Sequence, residues 1–151
     1  MSNQNKTIDV QYAITAEGLP GEKDICQWVG VALQGRQEQA ELVVRIVDEA
    51  EITALNRSYR GKVGATNVLS FPYEPMQEID TRLLGDIVIC APVVAEEAVA
   101  QGKSLDAHWA HIVIHGVLHL LGYDHSRNSE AREMEQLETE QLASLGYANP
   151  Y

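Results

Sequence analysis

Three histidines, His115, His119 and His125, stand in the run HGVLHLLGYDH at spacings of four and then six residues. On a helix, positions i and i+4 lie one above the other on a single face, so two imidazoles at that spacing can converge on one ion. Gly122 follows three residues after His119. A glycine just past a helix takes the left-handed conformation that turns the chain back, which would bring His125 to the same ion from another direction. Three neutral nitrogens leave a fourth position open. Structural zinc sites close their coordination with protein ligands, whereas catalytic ones keep room for water. The trio therefore predicts one zinc ion in a metal-dependent hydrolase.

Two further histidines, His108 and His111, precede the trio on the same segment. A straight-helix set of His111, His115 and His119 would spread its ligands over roughly 12 Å. Ligands bonded to zinc at about 2.0–2.1 Å must lie within a few ångströms of one another, so the set that uses the glycine break is preferred. The metalloprotease string H-E-x-x-H carries its general base directly after the first histidine. Here that position is Gly116. Glycine cannot take a proton, and inside a helix it costs about 1 kcal/mol relative to alanine, so Gly116 points to close backbone packing or a ligand's approach. A zinc peptidase becomes the weaker reading. A metal alone lowers the pKa of a bound water to about 7 and polarises a phosphoryl oxygen, which suits a phosphodiester substrate.

Charge narrows the substrate further. The 151 residues carry a net charge of −11, which at first argues against a nucleic-acid partner. Residues 52–73, however, contain no acidic side chain and hold Arg57, Arg60 and Lys62. A compact cationic patch beside a metal fits a particular RNA or phosphate geometry better than general binding to nucleic acid. Much of the negative charge lies in residues 124–140, where Glu130, Glu133, Glu135, Glu138 and Glu140 face Arg127 and Arg132, the pattern of a solvated helix face. Cys26 and Cys90 are isolated and read as small core residues. The opening MSNQNKTIDV has no apolar core of a signal peptide, and no run approaches the length of a membrane span, so a cytoplasmic protein is expected.

The elements that must position these groups follow from periodicity. With 45% hydrophobic residues, the chain suits one domain over residues 1–151. Ile8, Val10 and Tyr12 alternate as a first strand; Ile25, Trp28, Val29, Ala32 and Leu33 follow helical spacing, closed by Gly35. Residues 42–47 read as a strand, 49–59 as a short helix, and 67–71 and 86–89 as two more strands. Pro92 sits where a helix begins, residues 93–101 continue it and Gly102 ends it. Residues 72–82 read as an exposed loop, a lip over a cleft. The expected fold is α+β: a small mixed sheet of about four strands packed with helices, with the metal site at the end of a helix in the C-terminal half.

The strings LNRSYRGK, TNVLSFP, LGDIVIC and HWAHIVIHGVLHLLGYDH, followed by EAREMEQLE, closely resemble the bacterial YbeY family over residues 40–145. That resemblance implies a metal-dependent, single-strand-specific endoribonuclease that matures the 3′ end of 16S rRNA and serves ribosome biogenesis and quality control. It implies zinc ligands at His115, His119 and His125 and an important arginine at Arg60, inside the cationic stretch. Ribosomal RNA, the small ribosomal subunit, its proteins and assembly GTPases are the implied partners, with neither membrane nor DNA among them. Arg60, with a planar fork that matches phosphate, would stabilise charge on the reacting phosphorus. The general base stays open between Asp124 and Asp86, each with a structural alternative: orienting a histidine for Asp124, capping or pairing for Asp86. A ribosome assembly factor whose metal only shapes a binding surface is the main rival reading.

Overall fold

Alternation builds the sheet. In β2 (Ala40–Val47) the side chains of Ala40, Leu42, Val44 and Ile46 are buried while Glu41, Val43 and Arg45 between them are half-buried, the period-two pattern of a strand whose two faces meet different surroundings. The computed structural model describes residues 6–37, 39–73, 82–124 and 127–151. β1 (Lys6–Tyr12) and β4 (Leu83–Cys90) both pair parallel with β2, and β3 (Val68–Pro72) pairs antiparallel with β4, in the order β1-β2-β4-β3. Parallel neighbours need a crossover. α1 (Glu22–Leu33) makes the first, and α2 (Glu49–Arg60) follows β2. After β4 come α3 (Ala91–Gln101), α4 (Leu105–Leu120) and α5 (Asn128–Ser144).

Both faces of the sheet are covered. The larger core joins Ile25, Val29 and Leu33 of α1 to Val44, Ile46, Ile87 and Ile89 of the central strands and to Val113 and Val117 of α4. On the opposite face Ile52 of α2 packs with Val47, Leu69, Val88 and Cys90. This is the expected α+β arrangement of four strands in a mixed sheet. The expected short strand at residues 86–89 is longer, and the reason lies at Gly85. Its φ is +143°, and a Cβ there would collide with the Phe71 carbonyl oxygen and the Pro72 Cα. Gly85 thus marks the close approach of β3 rather than the end of a strand.

Local signals set the helix ends beside the cleft. Asp48 caps α2 by accepting a hydrogen bond from the Glu51 amide at 2.9 Å, and Gly61 ends it in the left-handed conformation at φ +64°. Ser104 caps α4 through the Ala107 amide at 3.1 Å. At the other end of α4, Gly122 adopts φ +102°, its amide bonding the His119 carbonyl at 3.0 Å and the Tyr123 amide bonding that of Leu118 at 3.0 Å. The glycine break expected after the metal helix is there.

Candidate active site

α4 is buried on almost every side, because it lies between the sheet, α1, α3 and α5. From Ile112 to Leu120 the half-exposed residues are His115 and His119, and one turn earlier His111 is half-exposed as well. The stripe at spacing four opens along one side of an otherwise apolar helix. Near its C-terminal end the Nε2 atoms of His115 and His119 lie 3.1 Å apart. Two nitrogens bound tetrahedrally to one zinc at about 2.0–2.1 Å would stand roughly 3.3 Å apart. The pair therefore fits an ion without rearrangement of the helix. His125, the third residue of the expected set, lies outside the described residues.

Behind the stripe stands a carboxylate. Glu138 of α5 is fully buried, and its two oxygens take contacts from both neighbouring imidazoles: Oε1 with His111 Nε2 at 2.6 Å and Oε2 with His115 Nδ1 at 2.9 Å. The Tyr151 hydroxyl donates to Oε1 at 2.5 Å, and its ring meets His111 edge-on at 5.4 Å. Burial by itself would raise the Glu138 pKa; the hydrogen bonds from His111 and His115 outweigh it and hold the carboxyl down at about 2. The same surroundings, burial first and then the bond to Glu138, push the Tyr151 hydroxyl far up. His111, His115 and Glu138 offer ligand atoms within 4.8 Å of one another and could hold a metal ion. An ion at about 2.0–2.2 Å from each donor bridges at most roughly 4.4 Å, so this cluster would have to draw in to do so.

Opposite the histidines, β3 and the end of α2 form the other wall of a cleft of about 830 Å³. Its lining includes Tyr59, Arg60, residues 66–72, His115, His119 and residues 122–124. β3 is tied to α4 by the Ser70 hydroxyl, which donates to the Gly116 carbonyl at 3.0 Å. Arg57 and Arg60 occupy the last turn of α2, where cations complement the helix dipole. Arg60 is exposed in the cleft and has no carboxylate partner among the described residues. Tyr59 beside it packs edge-on against Phe71 with ring centroids 4.8 Å apart. Asn67, also in the lining, donates its amide to Glu97 at 3.1 Å, and Glu97 meets buried His108 Nε2 at 2.9 Å.

The carboxylate candidates separate. Asp124 lies in the cleft wall with His115, His119 and Arg60. Asp86 is outside that lining and accepts the Tyr73 hydroxyl at 2.9 Å, the structural pairing that was its alternative. Residues 74–81, most of the loop expected to form a lip, lie outside the described residues.

Comparison with known proteins decides the family. A model of the family described as Endoribonuclease YbeY matches residues 6–146. The chain belongs to the YbeY family. The solution structure of TM1509 from Thermotoga maritima is similar as well, with a TM-score of 0.62, 26% identity, and coverage of 90% of this chain and 88% of that one. YbeY membership supports an endoribonuclease, a hydrolase, with a role in rRNA processing at the ribosome. Among the described residues no helix is long and apolar enough to cross a membrane.

Glu138 was expected on a solvated helix face, and it is fully buried. A signal was present: Met134, Leu142 and Gln141 share its face of α5 and are buried too. Glu138 sits four residues from Met134 and four from Leu142, so it lies inside the apolar stripe. His111, set aside as a ligand of a straight-helix trio, instead joins His115 through this carboxylate.

Proposed function

We propose that this protein is a zinc-dependent, single-strand-specific endoribonuclease of the cytoplasm that matures the 3′ end of 16S rRNA and takes part in ribosome biogenesis and quality control. The observation that carries the reading is the 3.1 Å pair of His115 and His119 Nε2 atoms in one cleft with the exposed side chain of Arg60, which has no carboxylate partner among the described residues. His115, His119 and His125 would hold one zinc ion. Bound there, the ion supplies Lewis acidity toward a phosphoryl oxygen.

The side chains of this chain do the rest. Arg60 offers a planar fork to the scissile phosphate and stabilises the charge that builds on its oxygens. No acidic side chain pairs with it among the described residues, so its charge is available to substrate. The cleft is open and bounded by an edge strand, which suits an extended single strand better than a duplex. Ribosomal RNA within the small subunit is the substrate, and ribosomal proteins and assembly GTPases are the partners that would present it.

The deciding experiment compares RNA cleavage by wild type, His115→Ala and Arg60→Ala prepared side by side. Wild type should cut single-stranded RNA while both variants lose activity. If all three preparations cut alike, the activity belongs to a contaminant and the enzyme reading fails in favour of a non-catalytic assembly factor.

A further inference from the structure

Glu138 is the one fully buried carboxylate among the described residues. An ionised carboxylate out of water is costly unless its oxygens are satisfied, and here both are. A carboxylate only accepts, so each contact must be donated by an N–H or O–H. His115 therefore carries its proton on Nδ1, toward Glu138 at 2.9 Å. Its Nε2 is left with a lone pair, and that is the atom that stands 3.1 Å from His119 Nε2 in the cleft. His111 spends its Nε2 hydrogen on the other oxygen at 2.6 Å, and its buried Nδ1 has no partner among the described residues.

We propose that Glu138 is a positioning residue for the metal site: it sets the tautomer and ring plane of His115, and His111 and Tyr151 hold Glu138 itself charged and oriented. The clamp joins residues far apart in the chain, α4 to α5 and to the segment after it. Tyr151 covers the outer side, donating to Oε1 and packing edge-on against His111. This inference rests on the reading of His115 and His119 as ligands. It differs from a ligand role for Glu138, because the carboxylate reaches His115 on the nitrogen that faces away from His119. Outer partners of this kind are worth roughly 10–100-fold in metal affinity.

The test measures Zn2+ affinity by chelator competition and records the absorption spectrum of the Co2+-loaded protein. Wild type, Glu138→Gln, Tyr151→Phe and His119→Ala are compared, with the melting temperature of each metal-free protein. Glutamine keeps the shape of Glu138 but offers one acceptor oxygen in place of two, so one imidazole loses its acceptor. Glu138→Gln should still bind one equivalent of Zn2+, roughly 10–100-fold more weakly, with an altered Co2+ spectrum. Tyr151→Phe, which removes one hydroxyl, should show a smaller loss in the same direction and stands in should Glu138→Gln fail to fold. Wild-type affinity and spectrum in both variants would overturn the proposal. Complete loss of metal in Glu138→Gln, matching His119→Ala, would also overturn it by making Glu138 a ligand. Wild-type protein that binds no Zn2+, or His119→Ala that binds like wild type, would instead sink the histidine ligand set, and this proposal with it.

Discussion

Gly116→Ala adds one methyl group at the point where α4 lies closest to the sheet. In an ordinary exposed helix the change would stabilise by about 1 kcal/mol, because glycine has more backbone freedom to lose. Here the new Cβ would lie 2.9 Å from Ile87 Cγ2, 3.4 Å from Ile87 Cδ1 and 3.4 Å from Val68 Cγ2. Carbon atoms prefer separations of about 3.5–4.0 Å. Ile87 is fully buried in β4, which is paired on both sides, and its β-branched side chain is stiff at χ1. The helix must therefore lift. Overpacking of this kind costs about 1–3 kcal/mol, which against the propensity gain leaves a net loss of about 0–2 kcal/mol. For a chain of this size 1 kcal/mol moves the melting temperature by about 2–4 °C. Thermal unfolding of the metal-free variant should show a fall of about 3 °C at the centre of that range. A rise of about 2–4 °C, the response of an exposed helical glycine, would refute the packing argument. The same geometry explains the absent protease base: a side chain at position 116 points at Ile87 and Val68, into the sheet. Gly116→Glu should bury a carboxylate and unfold the protein rather than create a peptidase.

His119→Ala should lose bound zinc and, in the presence of zinc, melt lower than wild type, since metal binding to the folded state adds to its stability; full metal content by elemental analysis would remove His119 from the ligand set. Arg60→Ala should leave metal content and melting temperature nearly unchanged while RNA cleavage falls by roughly 10²–10³, and Arg60→Lys separates charge from fork geometry by whether it restores the rate. Acid should destabilise the metal-free protein in two windows. Burial lowers the His108 pKa from its usual 6.5, so below about that pH the unfolded chain takes up a proton the folded one refuses, and stability falls. Glu138, held at about 2 against a usual 4.5, adds stability that is complete above 4.5 and is lost as the pH falls toward 2. Urea titrations from pH 7.5 downward should show the first loss beginning near pH 6.5, and constant stability through that window would contradict the His108 contribution.

The local parts of this protein are written in its sequence. The i, i+4 histidines, the glycine that ends their helix, the alternation of Ile8, Val10 and Tyr12 and the helical spacing of Ile25, Trp28, Val29, Ala32 and Leu33 each involve residues a few positions apart. Pattern and backbone preference specify them before any tertiary contact exists. The cationic stretch was legible for the same reason, because charge along a short segment is a local property. Arg60's place across from the histidines is not. It depends on β3 turning back antiparallel to β4 at the sheet edge, which carries the end of α2 and residues 66–72 to the side of α4 where His115 and His119 open. Gly116 was legible as a point of close packing or of a ligand's approach, because a glycine inside a helix carries a local cost. What it packs against, Ile87 and Val68, and the approach of Gly85 to the Phe71 carbonyl emerge only in the tertiary structure. Glu138 is the clearest case. Among five glutamates in an acidic helix it has no local mark of function beyond its place on the apolar stripe, and its role arises from imidazoles 23 and 27 residues away that only packing of α5 on α4 brings within hydrogen-bonding distance.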